Sequence, residues 1–188
     1  GSPTYEAVPA GCAVISIAQI MASLEPDLTV DGLKIDWNIL KAQKQIIAPS
    51  SWQTPSSETT REMVAKLIKY IYIATNTQPV RYFTTGDLIN GWDGNAAFQS
   101  LQLAKLVWVA ATSNRGGSHA FILDGFAYWR PQTRYLVKNF DFYFHTNMGW
   151  GGYYDGFYLV NKDLSITFDT SNGSYDRNFS MIYNIINK

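Results

Sequence analysis

The hydrophobic period of this chain changes once, near Lys105, and that change limits the fold more than any other feature. Before it, apolar residues recur at three and four; after it, short runs rich in Val, Ile, Phe and Tyr are separated by Gly, Asn, Asp and Ser clusters. Helices first and strands afterwards predict an α+β architecture with a mainly antiparallel sheet in the second half. A chain of 188 residues is sized for one domain that buries roughly 70% of its unfolded surface. With 15 basic and 15 acidic residues the net charge is zero, so the electrostatic footprint of a nucleic-acid binder is missing. The longest apolar runs, Ala13 to Ile17 and Leu106 to Ala111, fall far short of the roughly 18 residues that span a bilayer. No transmembrane segment is predicted.

Val14, Ile17, Ile20, Met21 and Leu24 fall at helical spacing and Ala13, Ile15, Ala18 and Ala22 fill the other faces, which predicts a buried helix from Cys12 to Leu24. Pro9-Ala10-Gly11 is turn chemistry and sets Cys12 at the helix start. Glu25 to Ser57 reads as loop with one helical turn at Trp37 to Leu40. Thr59 and Glu62 have capping-box spacing ahead of a second helix running to about Ala74, and a shorter one is expected from Asn95 to Ala104. Strands are expected at Leu106–Thr112, His119–Asp124, Tyr135–Phe140, Phe142–Asn147, Gly156–Val160 and Met181–Ile186.

Chemistry narrows quickly. There is no Walker loop, G-x-S-x-G elbow, H-E-x-x-H or dinucleotide fingerprint. One Cys and two His leave too few ligands for a structural zinc site, so neither metal nor cofactor is expected. One cysteine also excludes an internal disulfide. What remains is a thiol at a helix start and a histidine in Gly116-Gly117-Ser118-His119, the ingredients of a cysteine nucleophile and an imidazole base. A helix amino terminus favours thiolate over thiol, and its N–H groups can hold an oxyanion. Against this stands the plain reading of Cys12 as a small buried hydrophobe; Gly11, which lets another backbone come close, weighs the other way.

His145 rivals His119, because it shares a strand face with Tyr143, Asp141 and Asn147. The base also needs a third group to accept its Nδ1–H. Asn147, Asn139 and Asp124 are candidates. Asp124 is five residues from His119, which sends the two side chains to opposite faces of one strand. Asn147, just before Met148-Gly149-Trp150-Gly151-Gly152, is the choice, with an indole to shield the contact from water.

Ala10-Gly11-Cys12-Ala13-Val14 with Ala18-Gln19-Ile20-Met21, then Gly117 to Gly125, then His145 to Gly152 with Asp155-Gly156-Phe157, resemble the streptopain family of bacterial papain-like cysteine peptidases in residue and in order. Asp36-Trp37-Asn38 and the helix beginning near Arg61 look like family segments too. The resemblance implies a papain-like α+β fold as one domain over 1–188, with a mainly helical half at 1–79 that carries the Cys helix and a mainly β half at 80–188. It implies a secreted or cell-surface endopeptidase made as a zymogen. Protein or peptide substrates are its partners, together with an inhibitory pro-segment or a proteinaceous inhibitor. Cys12 matches the nucleophile, His119 the base and Asn147 the residue that orients it; Gly11, Trp150, Gly117 and Ser118 mark the substrate and oxyanion region. His145 is left a structural role.

Three departures stand out. Met148 occupies the place where the family often has the first Trp of its block, so aromatic shielding of the histidine is either reduced or supplied by Trp150. Ser2-Pro3-Thr4-Tyr5 resembles the stretch that follows the family's oxyanion Gln, and the sequence begins after that Gln would stand; loss of one such donor costs a factor of about 10² to 10³. The loops from Tyr5 to Pro9 and from Thr84 to Ala96 are short. The expected function is hydrolysis of peptide bonds through a thioester. The alternatives are a catalytically impaired relative that binds peptides or glycans, and acyl transfer or amide hydrolysis on a small molecule.

Overall fold

The computed structural model describes residues 10–43, 46–47, 49, 52–75, 84–129 and 141–187. The elements run α1 (Cys12–Leu24), a small hairpin of β1 (Thr29–Val30) and β2 (Leu33–Lys34), α2 (Trp37–Lys41), α3 (Glu58–Thr75), β3 (Thr84–Asn90) and α4 (Gly94–Gln102). They continue with β4 (Val107–Ser113), β5 (Ser118–Trp129), β6 (Asp141–Asn147), β7 (Gly156–Val160), β8 (Phe168–Thr170) and β9 (Gly173–Asn187). The main sheet is ordered β3-β9-β4-β5-β6-β7, with β8 also on β9, and every pairing within it is antiparallel. The α+β class with a mainly antiparallel sheet is thus what the change of period indicated.

Three apolar clusters stack the layers. Ile20 of α1 meets Ile122, Ile182 and Ile185 on one face of the sheet. The opposite side of α1 buries Val14, Ile17 and Met21 against Met63, Leu67 and Ile71 of α3 and Trp37 of α2. The other face of the sheet, with Phe121, Phe144, Phe168 and Met148, is covered by Ala97 and Leu101 of α4. The Cys-bearing helix is therefore buried on two sides, as its all-round apolar character requires. Polar ties fix it as well: the Trp108 indole donates to Ser16 Oγ at 2.9 Å and the Asn187 amide donates to the Leu24 carbonyl at 2.7 Å.

Some expectations are corrected. The stretch after Leu24 holds the hairpin β1–β2 as well as the helical turn. The second helix is capped by Ser57, whose Oγ accepts the Thr60 N–H at 3.2 Å, and not from Thr59. β3 and the first half of β9 were not anticipated; both carry polar or exposed residues at many positions and pair with strands far away in sequence. The strand expected at Tyr135–Phe140 lies outside the described residues, as do Asn139 and the segment from Ser2 to Pro9.

Candidate functional site

Cys12 is the first residue of α1, and Gly11 before it has φ +79° and no side-chain cap on the helix. Among the described residues nothing comes within 4 Å of where a Cβ on Gly11 would stand, and its positive φ is a backbone angle that glycine adopts without strain. The first N–H groups of α1 consequently have no side-chain oxygen competing for them at the N-cap. His119 comes from β5, delivered by the turn through Gly116 and Gly117, both with positive φ. Hydrogen bonding from its side chain is the main influence that lowers the half-buried Cys12 thiol to about 7. Burial pushes the thiol up, while backbone hydrogen bonds from Ala120 and Ala13 pull it down again.

His119 is 5% exposed. Its Nε2 lies 2.9 Å from the Met148 carbonyl oxygen; a carbonyl only accepts, so Nε2 carries the proton and Nδ1 is left for the thiol. The indole of Trp150 stacks on the imidazole with ring centroids 4.2 Å apart and planes 27° from parallel. Trp150 thus supplies the shielding that a Trp at 148 was expected to share, while the Met148 side chain is buried in the core beneath the sheet. Tyr175 and Phe121 complete the aromatic surround, at 5.6 and 5.9 Å. Removing the indole in Trp150→Ala is expected to slow alkylation of Cys12 at pH 6 roughly fivefold, the equivalent of about 1 kcal/mol of ring packing and solvent exclusion. Iodoacetamide kinetics check this.

Asn147 sits where sequence placed it, at the end of β6, but its side-chain oxygen goes elsewhere than to His119. Asn147 Oδ1 accepts from Gly149 N at 2.9 Å and from Gln19 Nε2 of α1 at 2.7 Å. The third group that meets the imidazole is the Met148 carbonyl, through Nε2 and not Nδ1. The two bonds share one peptide unit, since the Met148 carbonyl and the Gly149 N–H belong to the same planar amide. The preceding peptide is pinned too: Met148 N donates to Asp155 Oδ1 at 2.7 Å. Met148 as acceptor, Gln19 and Asp155 were missed by sequence reasoning. Gln19 and Asp155 both lie in stretches that carry the resemblance, and Gln19 has a further signal as a lone amide in an apolar helix, seven residues from Cys12 and so nearly on its face.

Gly149 has φ +73°, and a Cβ there would stand 3.0 Å from Ile15 Cγ2 on α1. Gly149→Ala is expected to cost about 1–3 kcal/mol through the left-handed backbone and this contact, which in a chain of this size lowers Tm by roughly 2–12 °C. Calorimetry measures it. The remaining candidates are peripheral. Ser118 is exposed and its hydroxyl pairs with Thr112 at 3.1 Å, while the Gly117 carbonyl accepts from Ser113 N. His145 faces Asp124, Nδ1 to Oδ1 at 2.5 Å, with Phe157 against its ring. The odd spacing that separated Asp124 from His119 thus leaves it for His145.

Among the described residues, no group of three or more His, Cys, Asp and Glu is placed to hold a metal ion, and no helix is long and apolar enough to cross a membrane. No curated protein matches the chain. The segment that runs from the start of α4 into β7, residues 94–158, matches the Peptidase C10 family, the streptopain family, over about a third of the chain, a stretch that holds His119, Asn147 and Trp150 and leaves Cys12 outside it.

Proposed function

We propose that this protein is a cysteine endopeptidase with a papain-like arrangement, acting on unfolded or extended protein outside the cell. What carries the reading is the placement of the Cys12 thiol at the start of α1 within the influence of the His119 imidazole, which lowers the thiol to about 7. The family match supports peptidase chemistry for the half of the site that lies within it.

In the reaction, His119 Nδ1 takes the Cys12 proton, and the thiolate attacks the substrate carbonyl carbon. The oxyanion that forms is held by backbone N–H groups at the start of α1. The imidazolium gives its proton to the departing amine as the C–N bond breaks, which leaves a thioester on Cys12. Water, deprotonated by the same imidazole, then attacks the thioester and releases the acid. Throughout, Nε2–H stays on the Met148 carbonyl, which holds the plane of the ring without adding a charge. Asn147 orients His119 at one remove, by holding the N–H end of the peptide whose C=O end holds the ring. Trp150 keeps water from competing for that bond.

The test is to incubate the protein with an unfolded protein and count new amino termini as Cys12 is titrated with iodoacetamide. Yield is expected to fall in proportion to alkylation and reach zero at one equivalent. Cleavage that survives full alkylation overturns the proposal, and peptide binding without any cleavage replaces it with the binding-module reading.

A further inference from the structure

We propose that Gln19 is a positioning residue for His119, acting from the nucleophile's own helix through Asn147 and the Met148–Gly149 peptide. The proposal rests on the peptidase reading and adds to it a residue that touches neither substrate nor reacting atoms. The connections form a closed circuit. Cys12 opens α1, Gln19 lies two turns on, its Nε2 donates to Asn147 Oδ1 at 2.7 Å, that oxygen also takes Gly149 N–H at 2.9 Å, and the same amide's carbonyl takes His119 Nε2–H at 2.9 Å. His119 then returns to the Cys12 thiol. Helix and sheet are thereby registered against each other by the hydrogen bonds that aim the imidazole.

The orientation of the Gln19 amide favours a positioning role over simple packing. Its Oε1 is buried and meets no donor among the described residues, so the bond that Nε2 gives to Asn147 Oδ1 is the one that fixes the amide there. Reversing the amide would set Oε1 against Asn147 Oδ1, oxygen against oxygen, because Asn147 Oδ1 is already committed to Gly149 N–H. The donor orientation is therefore the one required to keep Asn147 facing the peptide. Ile15, one turn before Gln19, adds contact to the same place, since Gly149 packs directly beneath its side chain.

The experiment compares wild type, Gln19→Met, Asn147→Ala and the double variant in the full chain, following Cys12 alkylation by iodoacetamide from pH 4 to 9 and peptide hydrolysis. Gln19→Met keeps side-chain length and removes the donor; Gln19→Ala is the second variant should the thioether not pack, and thermal melts confirm folding. Expected are an alkylation midpoint displaced upward from that of wild type and kcat lowered about tenfold, the size of one lost orienting hydrogen bond, with KM nearly unchanged. The double variant should be no worse than Asn147→Ala alone, because both act on one peptide. A folded Gln19→Met protein with the wild-type pH profile and kcat overturns the proposal, as does full additivity in the double variant. If wild type itself shows no low-pH reactivity at Cys12, the peptidase reading fails first, and the two failures are told apart.

Discussion

In the His119→Ala protein the pH midpoint for alkylation of Cys12 is expected to rise from about 7 to between about 8.5 and 9. The direction follows from the charges. A thiol loses its proton as pH rises, so a partner that stabilises the thiolate moves the onset of reactivity down; removing the largest such partner moves it back up. What remains after the change is burial, which disfavours the thiolate, against the backbone bonds of Ala120 and Ala13 and the end of α1, which favour it. At pH 6 a thiol with a midpoint near 7 is about one-tenth ionised, and one near 8.5 about one in 300, so the alkylation rate there should drop roughly thirtyfold. A midpoint that stays near 7 would mean that the helix terminus alone activates Cys12, and the imidazole would lose its assignment as base.

The Cys12→Ala protein is expected to lose peptide hydrolysis by a factor of about 10⁴ or more, because the thioester route closes entirely and only bound-substrate effects are left. Stability should hardly move. Cys12 is half-buried at the first position of its helix, where alanine is tolerated, and none of the cores that fix α1 includes it. The pairing of these two measurements matters: lost turnover with an unchanged melt assigns chemistry to the sulfur, whereas parallel losses would assign it packing. Mass spectrometry of a wild-type reaction quenched in acid should in turn find an acyl adduct on the Cys12-containing peptide and none in the variant.

How far the sequence could be read depended on where its signals are local. α1 runs from Cys12 to Leu24, β7 from Gly156 to Val160, and β4 and β6 begin or end within a residue of expectation, because each carries a clean period and a turn at its end. β3 and the start of β9 do not: Thr84-Thr85-Gly86-Asp87 and Asp176-Arg177-Asn178 read as loop and become strand only by pairing with partners remote in the chain. At the site, residue types were enough to single out Cys12 and His119, and strand spacing to separate Asp124 from His119. They could not show which atom accepts the hydrogen bond from the imidazole N–H. A main-chain carbonyl has no letter of its own, and the nearest side chain able to do the same work, Asn147, was the natural substitute. Gln19 was visible as an amide in an apolar helix, but what it meets is 128 positions away.

Holding a catalytic ring with a main-chain oxygen changes what mutation can do at position 148. Every amino acid brings the same carbonyl, so replacing one side chain by another leaves the acceptor where it was, provided the turn through Gly149 keeps its path. The side chain is then answerable to the core alone, where Met148 is 1% exposed. An aromatic residue and a thioether can exchange there as a matter of fit. Drift is restricted at the neighbours whose side chains or missing Cβ keep the amide in place.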